Sequence, residues 1–377
     1  MLKNNLKKNT ADNYIQNNNN IKLLILSSFF RNHLMENIRN QTKIFFLRIL
    51  NIPFAFLMHA IDLIMWPIQK IIGVRNMPYI FLLPNLIFFG LFVIIPLGAN
   101  FFFSLSSGDE LLFAERELPT TKQYDQLFDC ESYLNPNTCT EDFFWRGVYN
   151  TIFFVVFQVG LMIFFSVLTA VILNKKIIGR GFFRSVFFFP VLLSPVVVGL
   201  IWQWILLKNG AFNAIIESYG GDKVSFLTDP SWAMASVIFV SIWAHMGFYT
   251  LIVLAGLQAI PPNLYEAAEM DGTSRERIFF RITLPLLMPN LLVVFILASI
   301  KGVQTFDEIY VLTGGGPGTS TSLIVQYIFT TGFASSGSVQ NFGLAAAASM
   351  VLGVVLLFLT LMQLYFSRNK ESKHQEI

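Results

Sequence analysis

The sequence predicts an all-α membrane protein built on a six-helix transmembrane core, and three observations carry that reading. Hydrophobic residues make up 54% of the 377 and charged residues only 13%, about half the ~25% of an ordinary soluble domain. The missing charge falls in six long apolar runs, each near or above the ~20 residues that cross a bilayer. Connections richer in Lys and Arg alternate with poorer ones between those runs. A chain in lipid must satisfy its backbone hydrogen bonds internally, so each run is expected as a helix.

The runs fall at about 78–104, 148–173, 185–207, 232–257, 287–312 and 342–366. After the second come Lys175, Lys176, Arg180 and Arg184 with no acid. After the fourth come Arg275, Arg277 and Arg281, and the end of the chain carries Arg368, Lys370 and Lys373. Residues 106–145 are instead acidic, with Asp109, Glu110, Glu115, Glu117, Asp125, Asp129, Glu131, Glu141 and Asp142. The positive-inside rule then places both termini in the cytoplasm and 106–145, 208–230 and 313–340 outside.

Residues 1–43, rich in Asn and Lys, are expected to be a disordered basic tail. No small-residue cleavage site follows a short apolar run there, so the segment does not read as a cleaved signal peptide. Residues 44–75 are apolar but include Arg48, Asn51, Pro53, Asp62 and Pro67. A span here would carry the basic N-terminus outside. An amphipathic helix on the inner surface is favoured over an additional membrane helix. The transmembrane domain is expected at 76–368 and a cytoplasmic tail at 369–377.

Catalytic signatures are missing. There is no GxSxG or HExxH, and the four histidines are scattered. Cys130 and Cys139 are too few and wrongly spaced for a zinc site. Their expected position outside is an oxidising space in which a disulfide forms readily; two unpaired small residues is the other reading.

The most informative stretch joins runs four and five: Pro261-Pro262-Asn263-Leu264-Tyr265-Glu266-Ala267-Ala268-Glu269-Met270-Asp271-Gly272-Thr273-Ser274-Arg275-Glu276-Arg277. Asn263 with Glu266 suggests a capping box opening a short helix over 264–271. Gly272 stands where a left-handed C-terminal residue is wanted. Thr273 with Glu276 repeats the pattern and starts a second helix towards Pro285. The expectation is a helix–turn–helix joined directly to the fifth span.

An ordinary loop helix would account for composition alone. The residue types and spacing together, however, closely resemble the EAA loop of ABC importer permeases: Glu266-Ala267-Ala268, Asp271-Gly272, then Ile282-Thr283-Leu284-Pro285 and Pro289. The stretch Phe306 to Ser320, with its Gly314-Gly315-Gly316-Pro317 turn, looks like the end of the fifth span in sugar and glycerol-phosphate permeases of the maltose-transporter type. The resemblance covers about 80–368. It implies a six-helix transmembrane permease core with a cytoplasmic coupling helix. It also implies a coupling loop of Tyr265, Glu266, Ala267, Ala268, Asp271, Gly272, Leu284 and Pro285, whose first helix seats in a groove of an ATP-binding subunit.

The implied partners are a second permease subunit, two ATP-binding subunits and a solute-binding protein, with the bilayer as surroundings and no nucleic acid. ATP would act through the ATPase subunits, and this chain would bind no cofactor or metal. A sugar is the leading substrate, with glycerol-3-phosphate or its diesters behind.

The glycine run does not read as a phosphate loop, because no Gly-Lys-Ser/Thr ending follows a strand. Trp202, Gln203 and Trp204 offer aromatic faces and an amide suited to sugar, against a favoured reading as anchoring and packing. Asp307 and Glu308 are acids near the outer end of span five, which either line a path or simply reach the outer interface; Gln158, His245 and Gln304 are polar within spans, where each lines a cavity or bonds a neighbouring helix. Of these, Trp202, Gln203, Gln304 and Asp307 are the pathway candidates. An ion-coupled transporter would want repeats or mid-membrane acids. A membrane enzyme would want clustered acids, histidines or arginines. Neither pattern is evident.

Overall fold

The computed structural model describes residues 63, 66–67, 69–70, 73–106, 116–175, 177–333 and 340–374. The tail expected at 1–43 lies outside them, as does most of the helix expected at 44–75. Among the described residues six helices are long and apolar enough to cross a membrane. The chain divides into two units, Met1–Val93 and Ile94–Ile377.

In the first unit, α1 (Met77–Phe89) opens with Pro78 in its first turn, where a missing N–H costs nothing. It continues into a π-helical turn, Gly90–Ile94. The second unit begins with α2 (Ile95–Ser104). A connecting segment follows with the short α3 (Lys122–Phe128) and a disulfide between Cys130 and Cys139. Its backbone closes on itself through Glu131 N–H to Thr138 O and Thr140 N–H to Asp129 O. Arg116 and Tyr124 reach Ser106 and Ser104 at the end of α2.

The second span is α4 (Asp142–Asn174). Next come α5 (Arg180–Phe188), a 3-10 turn at Phe189–Leu192, α6 (Pro195–Leu206) and α7 (Ala211–Ser218). The single third span expected over 185–207 is therefore broken. Ser194 precedes Pro195, whose ring forbids helical geometry to it, and Ser194 sits extended at ψ 136°.

The fourth span, α8 (Pro230–Ala259), is capped by Asp229, whose side chain accepts from the N–H groups of Ser231 and Trp232. Then come α9 (Pro262–Met270) and α10 (Arg275–Ile278). A π turn at Phe279–Thr283 leads into α11 (Leu284–Val303). Pro285 has no N–H for the carbonyl a turn earlier, and the widened turn lets the helix pass it. Arg275–Val303 thus forms one membrane-length rod.

That rod ends at Gln304, short of the expected 312. Phe306 turns to φ −143°, and α12 (Asp307–Thr313) starts anew with Asp307 and Glu308 in its first turn, where the helix dipole favours acids. The short α13 (Ile324–Gly332) and the long α14 (Phe342–His374) complete the chain.

The main core gathers α4, α6, α8, α11 and α12 around Phe154, Met162, Val198, Val237, Leu254, Leu287 and Ile309. A second cluster seats the connecting segment on the bundle: Leu127, Phe144, Ile324, Tyr327, Leu344 and Ala347. Asn100 on α2 donates to Ser349 on α14 at 2.8 Å. Large apolar side chains such as Phe153, Phe164, Trp204 and Phe295 remain exposed along the spans, as expected of helices solvated by lipid.

Candidate functional site

The α9–α10 corner is the more sharply defined of two candidate sites. α9 starts without side-chain help. Its N-cap is Pro261, extended at ψ 130°, and Pro262 occupies the first helical position. The capping box expected from Asn263 and Glu266 does not form, because the two prolines already set the helix entry. α10 likewise has Ser274 at its N-cap with no side-chain bond, so the Thr273–Glu276 box is absent too.

The C-terminus of α9 is where the local chemistry is decisive. Gly272 takes φ +65°. Its N–H donates to Glu269 O, and the Thr273 N–H donates back to Ala268 O. This is the Schellman arrangement, in which a left-handed residue lets the chain satisfy orphan carbonyls and turn sharply. Gly272 leads within three residues into the Arg275–Val303 rod.

The corner has an inner and an outer side. Tyr265 is half-buried against the main core, and its hydroxyl lies 3.2 Å from Thr283 Oγ1. Ala268 is buried, and Leu284 is half-buried against the core. Glu266, Ala267, Asp271, Gly272 and Pro285 are exposed, and Met270 projects with 89% of its surface free. One face of α9 is thus tied to the rod of span five, and the other is bare.

The second site is a groove of about 790 Å3 between α4 and α8. Phe153, Phe157 and Phe165 form one wall, and Phe239 and Trp243 the other. Asn150, Ser231 and Ser320 bring polar atoms to it. A smaller polar pocket of about 470 Å3 is lined by Leu134, Arg146, Tyr149, Asn150, Thr319 and Ser320. Asn150 and Ser320 border both, so the polar pocket adjoins the aromatic groove. Arg146 is charge-balanced there by Asp142 at 3.2 Å. The disulfide loop leans on the same helix end, with Tyr149 donating to Tyr133 O and Arg146 to Asn137.

The glycine-rich turn forms the far rim. Asn150 Nδ2 donates to Thr319 O at 2.7 Å and to Ser322 O at 3.0 Å. Gly315 sits at φ +90° with Gln326 so close that a Cβ would lie 2.4 Å from its Nε2. Only glycine fits there. Among the described residues Ser320 Oγ is buried without a partner.

The four pathway candidates scatter. Trp202 stacks edge-on against Phe239 and Trp243, at 5.1 and 5.3 Å, and so backs the groove without lining it. Gln203 Nε2 donates to Val311 O at 3.0 Å, joining α6 to α12. Gln304 and Asp307 are exposed outside the groove. Glu308, beside Asp307, is buried, with a carboxylate oxygen 3.9 Å from His245 Nδ1. Asn150, Phe153, Phe157, Phe165 and Ser320 went unnoticed in sequence, where single Phe, Asn and Ser residues in apolar runs carry no distinguishing signal. Among the described residues no group of three or more His, Cys, Asp or Glu side chains is placed to hold a metal.

Six apolar spans, an aromatic groove beside a polar pocket and an exposed helix joined to one span fit a multi-pass membrane transport protein. The particular family is the binding-protein-dependent transport system inner membrane component, to which this chain belongs: residues 162–371 match it. The chain is 32% identical over 303 residues to the probable ABC transporter permease protein YurN of Bacillus subtilis, covering 79% of this chain and 98% of that one. It is 33% identical over 293 residues to the trehalose/maltose transport system permease protein MalF of Thermococcus litoralis, covering 77% and 93%. Its fold matches a bacterial alginate ABC transporter solved in complex with an alginate pentasaccharide-bound periplasmic protein. That match has a TM-score of 0.65 at 25% identity and covers 80% of this chain and 97% of that chain.

Proposed function

We propose that this chain is one of two permease subunits of an ATP-driven importer of saccharides, switched between inward- and outward-facing states by two separate ATP-binding subunits. The observation that carries the coupling is the α9 corner. Its bare face is free to seat on a partner, and its other face is tied to α11 through Tyr265, Thr283 and the Gly272 turn. A helix so tied moves as a rigid body with the span it precedes, which is what alternating access needs.

In this reading both termini and the α9 corner are cytoplasmic, following the basic connections. The disulfide segment and glycine-rich turn face outward, towards a solute-binding protein. ATP is bound by the partners, and this chain supplies no cofactor site. The groove fits this substrate class: Phe153, Phe157, Phe239 and Trp243 offer apolar faces for sugar rings, and Ser231 brings a hydroxyl to its edge. The named substrates of the relatives, trehalose or maltose and alginate, are saccharides. A phosphate-bearing substrate is disfavoured, because no cation lines the groove among the described residues and Arg146 is paired with Asp142.

Met270→Cys tests the coupling. With Cys130 and Cys139 bonded to each other, the new thiol is the only free one. In the assembled complex it is expected to crosslink to an ATP-binding subunit. Labelling from the outer face, with no crosslink, would overturn both the orientation and the coupling role.

A further inference from the structure

We propose that Arg180 and Arg184 form a binding site for the phosphate of an anionic phospholipid in the cytoplasmic leaflet; this rests on the orientation given above. The two arginines stand one helical turn apart on α5, facing the same way. Both converge on Gln258 near the end of α8. With the Gln258 amide turned to accept, its oxygen lies 2.9 Å from Arg180 Nη2 and 2.8 Å from Arg184 Nη2. Among the described residues no carboxylate comes within 4.0 Å of either guanidinium. Nε of each is buried with no acceptor.

Two positive charges are therefore held side by side on one neutral amide. Such an arrangement repels itself unless an anion joins it, and the paired planar forks suit phosphate oxygens. The surroundings select the source. α5 is a short amphipathic helix that leaves Phe182, Phe183, Val186 and Phe187 exposed beside the arginines. That is the pattern of a helix lying in the membrane interface, with rings among acyl chains and cations at headgroup depth. Basic pockets between spans on the cytoplasmic side take anionic headgroups in this way. A partner's carboxylate would have no use for the four exposed apolar side chains around it.

The test uses the assembled complex in nanodiscs of phosphatidylcholine mixed with phosphatidylglycerol, with retained lipids counted by native mass spectrometry after detergent stripping. Wild type is expected to retain phosphatidylglycerol selectively. Arg180→Gln with Arg184→Gln should lower that retention about tenfold or more, the loss expected for even one charge-assisted bond. Arg180→Lys with Arg184→Lys should restore part of it, and Lys175→Gln should leave it intact. Monodispersity and melting temperature check that the variants fold.

Retention unchanged in the double Gln variant overturns the proposal. So does displacement of the lipid by inorganic phosphate, which would mark a free-phosphate site. So does loss of the ATP-binding subunits with lipid retention unaltered, which would mark a protein contact. A failed Met270 crosslink with lipid selectivity intact would count against the coupling role alone.

Discussion

Replacing Gly272 perturbs the corner in a way whose size follows from the backbone alone. The residue holds φ +65°, and a Cβ built there meets nothing within 4 Å. Gly272→Ala therefore introduces no clash and costs only the left-handed conformation, about 1–2 kcal/mol, a factor of about 5–30 in the population of the closed turn. Gly272→Pro is harsher. Proline fixes φ near −65° and removes the N–H that reaches Glu269 O, for ~3 kcal/mol or more. The bonds at stake are those that aim α9 relative to α11, and both variants leave the apolar spans untouched. In proteoliposomes of the assembled transporter, the measured quantity is the ratio of substrate taken up to ATP hydrolysed. Gly272→Ala is expected to lower that ratio partially and Gly272→Pro to abolish it, with normal membrane insertion of both. A wild-type ratio in Gly272→Pro would refute the claim that this turn transmits motion.

The groove makes its own prediction. Phe157 lines it and is 47% exposed, so Phe157→Ala removes a groove-facing ring with little loss of packing. Taking such a stacking face as about 1 kcal/mol, the half-saturation for uptake should rise about fivefold, with basal ATP hydrolysis unchanged; an unaltered half-saturation would remove Phe157 from the path. Maleimide should label no thiol in the unreduced protein and two after reduction. The nine-residue separation of Cys130 and Cys139 corresponds to about 2–3 kcal/mol of loop-closure entropy, so reduction should loosen the connecting segment, read as faster proteolysis between residues 116 and 141. Two freely labelled thiols without reductant would contradict the disulfide.

Much of this protein was legible from residue order alone, wherever the physics is local. Apolar length and the alternation of charged connections specify six spans, because a bilayer rewards each run independently of its neighbours. The turn at Gly272 was readable for the same reason: two prolines before a short helix and a glycine after it act through adjacent backbone.

Some local patterns lost to stronger local ones, and others were settled by tertiary partners. The capping boxes at Asn263 and Thr273 did not form, since prolines and the bonds around Gly272 had already shaped the corner. The third and fifth spans looked continuous, yet the chain breaks at Ser194 and at Phe306. The short α6 and α12 that result are held against each other by Gln203, which bonds a carbonyl 108 residues away. Of the neighbouring acids, Asp307 is exposed and Glu308 buried, a choice made by the helix that packs over them. The groove is the clearest case. Asn150 meets Thr319 across 169 residues, and Phe157 faces Trp243 only because α4 packs beside α8. Sequence settled that the chain crosses a membrane and carries a short helix and glycine turn before span five, because hydropathy and turn chemistry act over a few residues. Only the packing of distant helices decided where the aromatic groove lies and which arginines converge on Gln258.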